Sequence, residues 1–319
     1  MAQLFLIAIS AGAASAFLFT SLASGSPVAL LLAQLAPLPI LIAGLGWSHW
    51  AALLAVGLAA SALGTYLGGL FFLGFLFTIG LPAWWLSYLA LLARPGTSAE
   101  PVEWYPVGRL VVWACLFGTL VTTVGLVKIS GLDGDFDTAL RSGFERFLRL
   151  QAGVTGQDPL KIPGLTDPAR FLDMMVLVIP PAAAATSAVT NLLNLWLAGR
   201  VVALSGRLRR PWPDLAAFRL PRMAATGLVV AVLGSFLPDL AGMAGRLVAA
   251  GLAVAHMLLG LAVMHAVTGA LSNRSLVLVA AYALMAIFQW PVLLMLVLGL
   301  SDTVIDWRSR LTVKNRPNV

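Results

Sequence analysis

The stretch SPVALLLAQLAPLPILIAGLGWSHW, Ser26–Trp50, decides the fold class. From Pro27 to Gly44 it holds no charged side chain, and crossing a hydrocarbon core of about 30 Å takes about 20 apolar residues of helix. Pro37 and Pro39 interrupt the run. Each proline removes an amide donor and crowds the preceding turn, so the segment reads as a kinked membrane span. Trp47, His49 and Trp50 follow it, where an aromatic belt would meet the interface.

Comparable runs lie on both sides. Met1–Ala23 is apolar from its start, has no basic leader and exceeds a signal-peptide core, so it is expected as a first span and not as a cleaved signal. Ala51–Gly69 is a third span, with Ala60, Gly64 and Gly68 in one small-residue row and Gly57, Ser61, Thr65 and Gly69 in the next. Such rows let helix backbones approach closely. Leu70–Ala93, containing Pro82 and Trp84-Trp85, is a fourth.

Composition agrees with the local reading. Of 319 residues, 60% are hydrophobic and only 10% charged, against about 25% charged in a soluble domain. Mean hydropathy is +0.94. A soluble enzyme, a disordered chain and a nucleic-acid binder are all excluded as classes. The net charge of +7 comes from arginines gathered in a few loops, as the positive-inside rule requires of cytoplasmic segments. Cys115 is the single cysteine, so no disulfide and no multi-cysteine metal site can form within the chain. No motif calls for a cofactor or a metal ion.

Beyond the first polar loop, Arg94–Val107, a fifth span runs over Arg109–Lys128. Within the polar segment Ile129–Asp167, Phe136, Leu140, Phe144, Phe147 and Leu148 share a helix face, with Asp137, Arg141, Glu145, Arg146 and Arg149 on the other. That pattern predicts an amphipathic helix on the membrane surface or against the bundle. Thr166-Asp167-Pro168 starts the next helix with a capping side chain and an early proline. The apolar run Arg170–Ala198 is too long for one straight span, and Pro180-Pro181 is expected to break it. Arg200–Arg222 is the most basic stretch. Met223–Leu237 and Arg246–Ala270 are two further spans, and Ser275–Gln289 and Pro291–Ile305 are short apolar pieces separated by Trp290-Pro291.

With a cytoplasmic N-terminus, alternation places Arg94, the Arg200–Arg222 loop and Arg274 in the cytoplasm. If Ser275–Ile305 crosses twice, the basic tail joins them; if it crosses once, bent, the tail lies outside. Charge favours two crossings; length favours one, since fifteen residues rise only about 23 Å. The expected fold is therefore an all-α polytopic transmembrane bundle of about nine or ten spans with one interfacial helix, forming one integral membrane domain over 1–319. Residues 1–93 make a four-span half-bundle, 94–169 the polar loops, fifth span and surface helix, and 170–319 the C-terminal spans and basic tail.

Three stretches carry a family resemblance: Ser26–Trp50 quoted above, NLLNLWLAGRVVALSGRLRRPWPDLAAFRLPR at Asn191–Arg222, and GLSDTVIDWRSR at Gly299–Arg310, with its Asp306-Trp307-Arg308 triplet. They resemble the YybS-like family of uncharacterised bacterial polytopic membrane proteins. That family is distantly similar to the substrate-binding components of energy-coupling-factor transporters, which couple to their partners through small residues four apart on the first helix. The resemblance thus implies a bacterial inner-membrane protein, transport subunits or other membrane proteins as partners beside the lipid bilayer, and a packing or coupling role for Ala8, Gly12 and Ala16.

No Asp, Glu, Lys or Arg lies near the centre of a span, which disfavours a proton-driven pump and an intramembrane enzyme. Ser187, Asn191 and Asn194 fall at i, i+4 and i+7 on one helix face. They serve either interhelical hydrogen bonds or a ligand site beside the diproline. His256 and His265, nine residues apart, face nearly opposite ways and read as bundle histidines. Asp306 and Arg310 have the spacing of a helix-end ion pair. The function expected first is transporter-like binding of a small molecule in the bundle, with no catalysis. The rival is a membrane scaffold that holds a partner or anionic lipid through Arg207, Arg209 and Arg210.

Overall fold

A computed structural model describes residues 2–97, 102–130, 136–151, 153, 167–214 and 218–308. It is the all-α polytopic bundle expected. The helices are α1 (Ala2–Thr20), α2 (Pro27–Gln34), α3 (Pro37–Gly46), α4 (His49–Leu67), α5 (Gly69–Phe75), α6 (Leu81–Ala90), α7 (Val107–Ser130), α8 (Phe136–Gln151), α9 (Pro168–Leu204), α10 (Arg222–Gly234), α11 (Asp239–Val267), α12 (Arg274–Phe288) and α13 (Pro291–Ile305). A π-helical turn, Leu76–Gly80, joins α5 to α6, and α2–α3 and α5–α6 each act as one interrupted span. Among the described residues, seven helical segments are long and apolar enough to cross a membrane. The rest of the nine or ten expected spans would have to come from α10, α12 and α13, which have 13, 15 and 15 residues.

Lipid chains are as apolar as leucine, so membrane helices associate through close packing of small residues and through hydrogen bonds. The α1–α4 contact follows that rule. Ala8, Ala11, Gly12 and Ser15 are buried, and a Cβ on Gly12 would sit 2.7 Å from the Ala55 carbonyl oxygen. The four-span half packs around Ile40, Leu41, Val56, Phe75 and Leu86, and reaches Ala114 of α7 and Ala198 and Val202 of α9. A second core joins α7, α9 and α11 through Val111, Cys115, Ala188, Ala255 and Leu259. α7 and α9 therefore run through the middle of the molecule, with the four-span half on one side and α10–α13 on the other.

The ends of the helices sort by charge. Gln3 and Trp47 line one surface hollow, Arg210 donates to the Ala90 carbonyl at the end of α6 (3.2 Å), and Gly108 of α7 abuts the Arg219 carbonyl. The starts of α1, α7 and α10 and the ends of α3, α6 and α9 thus share one arginine-rich end. A hairpin at the same end, Ala93–Pro95 paired antiparallel with Val102–Trp104, is closed by Arg94 and Glu103 at 2.8 Å. Their hydrogen bond lowers the Glu103 pKa and raises that of Arg94.

α12 and α13 form a hairpin whose two ends both return to this arginine-rich end. Arg274 lines a cavity with Trp212, Asp214 and Phe218. At the other end, Arg308 donates to the Phe218 carbonyl (2.8 Å) and Arg219 pairs with Asp306 (2.7 Å). The turn lies partway along the bundle, with Ile287, Phe288 and Trp290 exposed and with Val292, Leu293 and Leu296 lining a cavity together with Ala250, Val254 and Pro181. Gln289, at φ 58°, makes the reversal.

One local expectation changes. Pro180-Pro181 does not break α9, which runs unbroken from Pro168 to Leu204. The two missing amides remove the bonds to the carbonyls of Val176 and Leu177, and tight packing at the buried Val176, Pro180 and Ala184 holds the helix in register. The expected Asp306–Arg310 pair lies outside the described residues, which end at Arg308. Asp306 adopts a left-handed conformation that ends α13, so Arg308 folds back to Asp302 at 2.7 Å and Asp306 turns to Arg219. The amphipathic α8 packs against the far end of the bundle through a fully buried Leu140 and through Phe144. Its Arg141 reaches Asp173 at 3.2 Å.

Candidate binding cavity

A large hollow lies between α9, α11 and α12, near the arginine-rich end. Its volume is about 870 Å³. α9 contributes Val189, Leu193 and Trp196, and α11 contributes Met257, Leu261 and Ala262. Val107 and Val111 of α7 close the back, and Trp212, Pro213 and Phe218 of the loop close one end. Four polar side chains also line it: Asp214, His265, Arg274 and Tyr282. An apolar body with a few polar groups is the usual composition of a ligand site.

The polar groups are placed by helix ends. His265 sits in the last turn of α11, and its Nε2 lies 2.8 Å from the Tyr282 hydroxyl of α12. Arg274 is the first residue of α12, where the helix macrodipole disfavours a cation. The preceding Asn273 provides no side-chain cap for that end. Asp214 has a partner of its own, whereas Arg274 makes no ion pair with any described residue.

Two smaller spaces adjoin. A recess of about 150 Å³ beside Leu45, Ala90 and Leu208 shares Trp196, Trp212 and Pro213 with the main cavity and is lined by Arg210. Burial lowers the Arg210 pKa, so its charge is held where water solvates it poorly. Further along α9, a second cavity of about 650 Å³ lies beside Pro181, Thr186, Thr190 and Leu293. Val189 and Met257 line both large cavities, so the two meet along the groove between α9 and α11.

The residues singled out from the sequence fall differently. Asn191 is buried and donates to the Ala114 carbonyl of α7 at 3.1 Å. Asn194 donates to the Gln34 carbonyl at 2.8 Å and the Thr190 carbonyl at 2.9 Å, and its own buried Oδ1 has no partner among the described residues. Pro39 and the tightened turn at Leu38 free the Gln34 carbonyl, since Leu38 donates to Leu35 instead. Ser187, Asn191 and Asn194 line neither large cavity; the wall facing both is Val189 and its neighbours on α9.

Ala8 and Gly12 are occupied by α4, and Ala16 packs at the edge of the same core. Arg207 lies 4.7 Å over the Trp47 ring, Arg210 holds Ala90, and Arg209 is exposed. The cavity's polar end escaped the sequence reading because His265, Arg274 and Tyr282 belong to two helices joined by a turn. Only the fold brings them to the lining of one cavity. The one available signal was an arginine at a helix start within an otherwise apolar region.

The interrupted spans, the small-residue contacts and the arginine-rich end define a polytopic α-helical membrane protein. The chain belongs to the family described as predicted membrane protein (DUF2232), whose sequence profile matches residues 13–303. No curated protein matches it, and no solved structure does.

Proposed function

We propose that this is a transporter-like membrane component that holds a small molecule within its helical bundle, in the cavity between α9, α11 and α12. The observation that carries this reading is an apolar cavity of about 870 Å³ with four polar side chains, which has the size and lining of a ligand pocket. The positive-inside rule supports placing the arginine-rich end, and with it both chain ends, in the cytoplasm of a bacterium. The scaffold alternative is weakened because Arg207 and Arg210 are engaged by the chain itself. Likewise α4 covers the small-residue row of α1, so any subunit related to energy-coupling-factor assemblies would engage a different face.

The test is retention of whatever small molecule accompanies the protein through gentle purification, read by native mass spectrometry. Leu193→Trp and Leu261→Trp fill the cavity and should lower retention about tenfold or more, a loss of about 1.4 kcal/mol. Asn191→Leu should leave retention intact in protein that melts like the parent. Retention lost in Asn191→Leu and kept in both tryptophan variants would move the site to the polar face of α9. Retention lost only when Arg207, Arg209 and Arg210 are neutralised would favour the scaffold.

A further inference from the structure

Resting on that cavity, we infer that its occupant is a single-chain lipid with an anionic head, entering sideways from the bilayer. The head lies against Arg274, and the tail runs along α9 past Val189 and Met257 into the second cavity.

The route of entry follows from exposure. Val189, Leu193 and Trp196 are 45%, 49% and 44% exposed, on a helix long and apolar enough to cross a membrane. A cavity open through such residues opens to lipid, so its occupant comes from the membrane. α12, which flanks it, has no buried residue.

The tail's course follows from the shared lining. The two large cavities meet at Val189 and Met257. From Trp196 back to Val178 the α9 axis rises about 27 Å at about 1.5 Å per residue, while one leaflet of a core about 30 Å thick offers about half of that. A single extended chain fits a groove of this shape, and the walls beyond Val189 are Val178, Ala182, Val292, Leu293 and Leu296.

The sign of the head follows from charge. Among the described residues Arg274 has no anionic partner, and it sits at a helix start without a side-chain cap, where an anion is favoured. The nearby carboxylate, Asp214, is partnered. Arg210, half-buried in the adjoining recess, adds positive potential at the same end. The His265–Tyr282 pair lines the same cavity further along α12 and offers one more hydrogen-bonding edge there.

The experiment uses the full chain in phosphatidylcholine nanodiscs. Four probes are titrated: oleoyl lysophosphatidic acid, lauroyl lysophosphatidic acid, oleoyl lysophosphatidylcholine and glycerol phosphate. Oleoyl lysophosphatidic acid should bind about tenfold or more tighter than its choline counterpart. Arg274→Gln should remove that preference, and Arg274→Lys should restore part of it. Val189→Trp should weaken the oleoyl probe and leave the lauroyl probe unchanged.

Equal binding of the two oleoyl probes overturns the inference, as does a preference that survives Arg274→Gln or glycerol phosphate binding as tightly as the lipid. If the lipid probes fail while a co-purified molecule is still lost in Leu193→Trp and Leu261→Trp, this inference falls and the cavity stands. If those two variants change neither the co-purified molecule nor the probes, the cavity reading itself falls.

Discussion

Asn194 donates to two carbonyls at once, one on its own helix and one on the interrupted span that ends at Gln34. Thr190 adds a bond from its hydroxyl to the Gln34 side chain at 3.2 Å. The interruption and the asparagine need each other: prolines free a carbonyl that lipid cannot satisfy, and an amide from α9 reaches it. Asn194→Leu should therefore lower stability by about 1–2 kcal/mol, measured as thermal unfolding in detergent, with ligand retention at the main cavity unchanged. An unaltered melting temperature would show that the bond contributes nothing. The polar face was legible in the sequence from spacing alone. Its partners were not, because they lie 77 and 160 residues away.

At the scale of elements, prolines have three different outcomes. Pro37 and Pro39 split a span into α2 and α3, Pro82 follows a π-helical turn, and Pro180-Pro181 is carried inside an unbroken α9. Sequence shows where amides are missing; whether the helix ends depends on packing around the gap, which sequence does not display.

Glycines decide a different contact. Gly260 of α11 abuts the Met295 carbonyl, and Gly299 of α13 abuts that of His256. A side chain at either position pushes the two backbones apart. Gly299→Leu should destabilise the protein by about 1–3 kcal/mol, and Gly269→Leu, where a Cβ meets nothing within 4 Å, should cost far less. Thermal unfolding of the two variants checks this, and equal melting would refute close α11–α13 packing.

At the scale of the whole molecule, the number of passes matters less than which ends meet. The sequence made the class, the four-span half and the charge bias plain, since these depend on composition and run length. It left the last thirty apolar residues ambiguous between one crossing and two. The fold brings both ends of that segment to one end of the bundle, where Arg308 and Asp306 hold it at Phe218 and Arg219. The hydrogen bond to Asp306 raises the Arg219 pKa, so the guanidinium of this clasp keeps its charge. Reporter fusions after Arg210 and after Arg316 should both report cytoplasm, and a fusion after Gly153 the opposite side. A fusion after Arg316 reporting the outside would refute the hairpin.

α12 buries none of its residues against the bundle. A segment with so few buried contacts sits at the low end of local opening free energies. The His265–Tyr282 bond is its described side-chain tie to α11. Residence times in the groove would then be set by how often this flank swings outward, on the microsecond-to-millisecond scale of helix motions. Exchange with the bilayer would proceed without disturbing the α7–α9 spine.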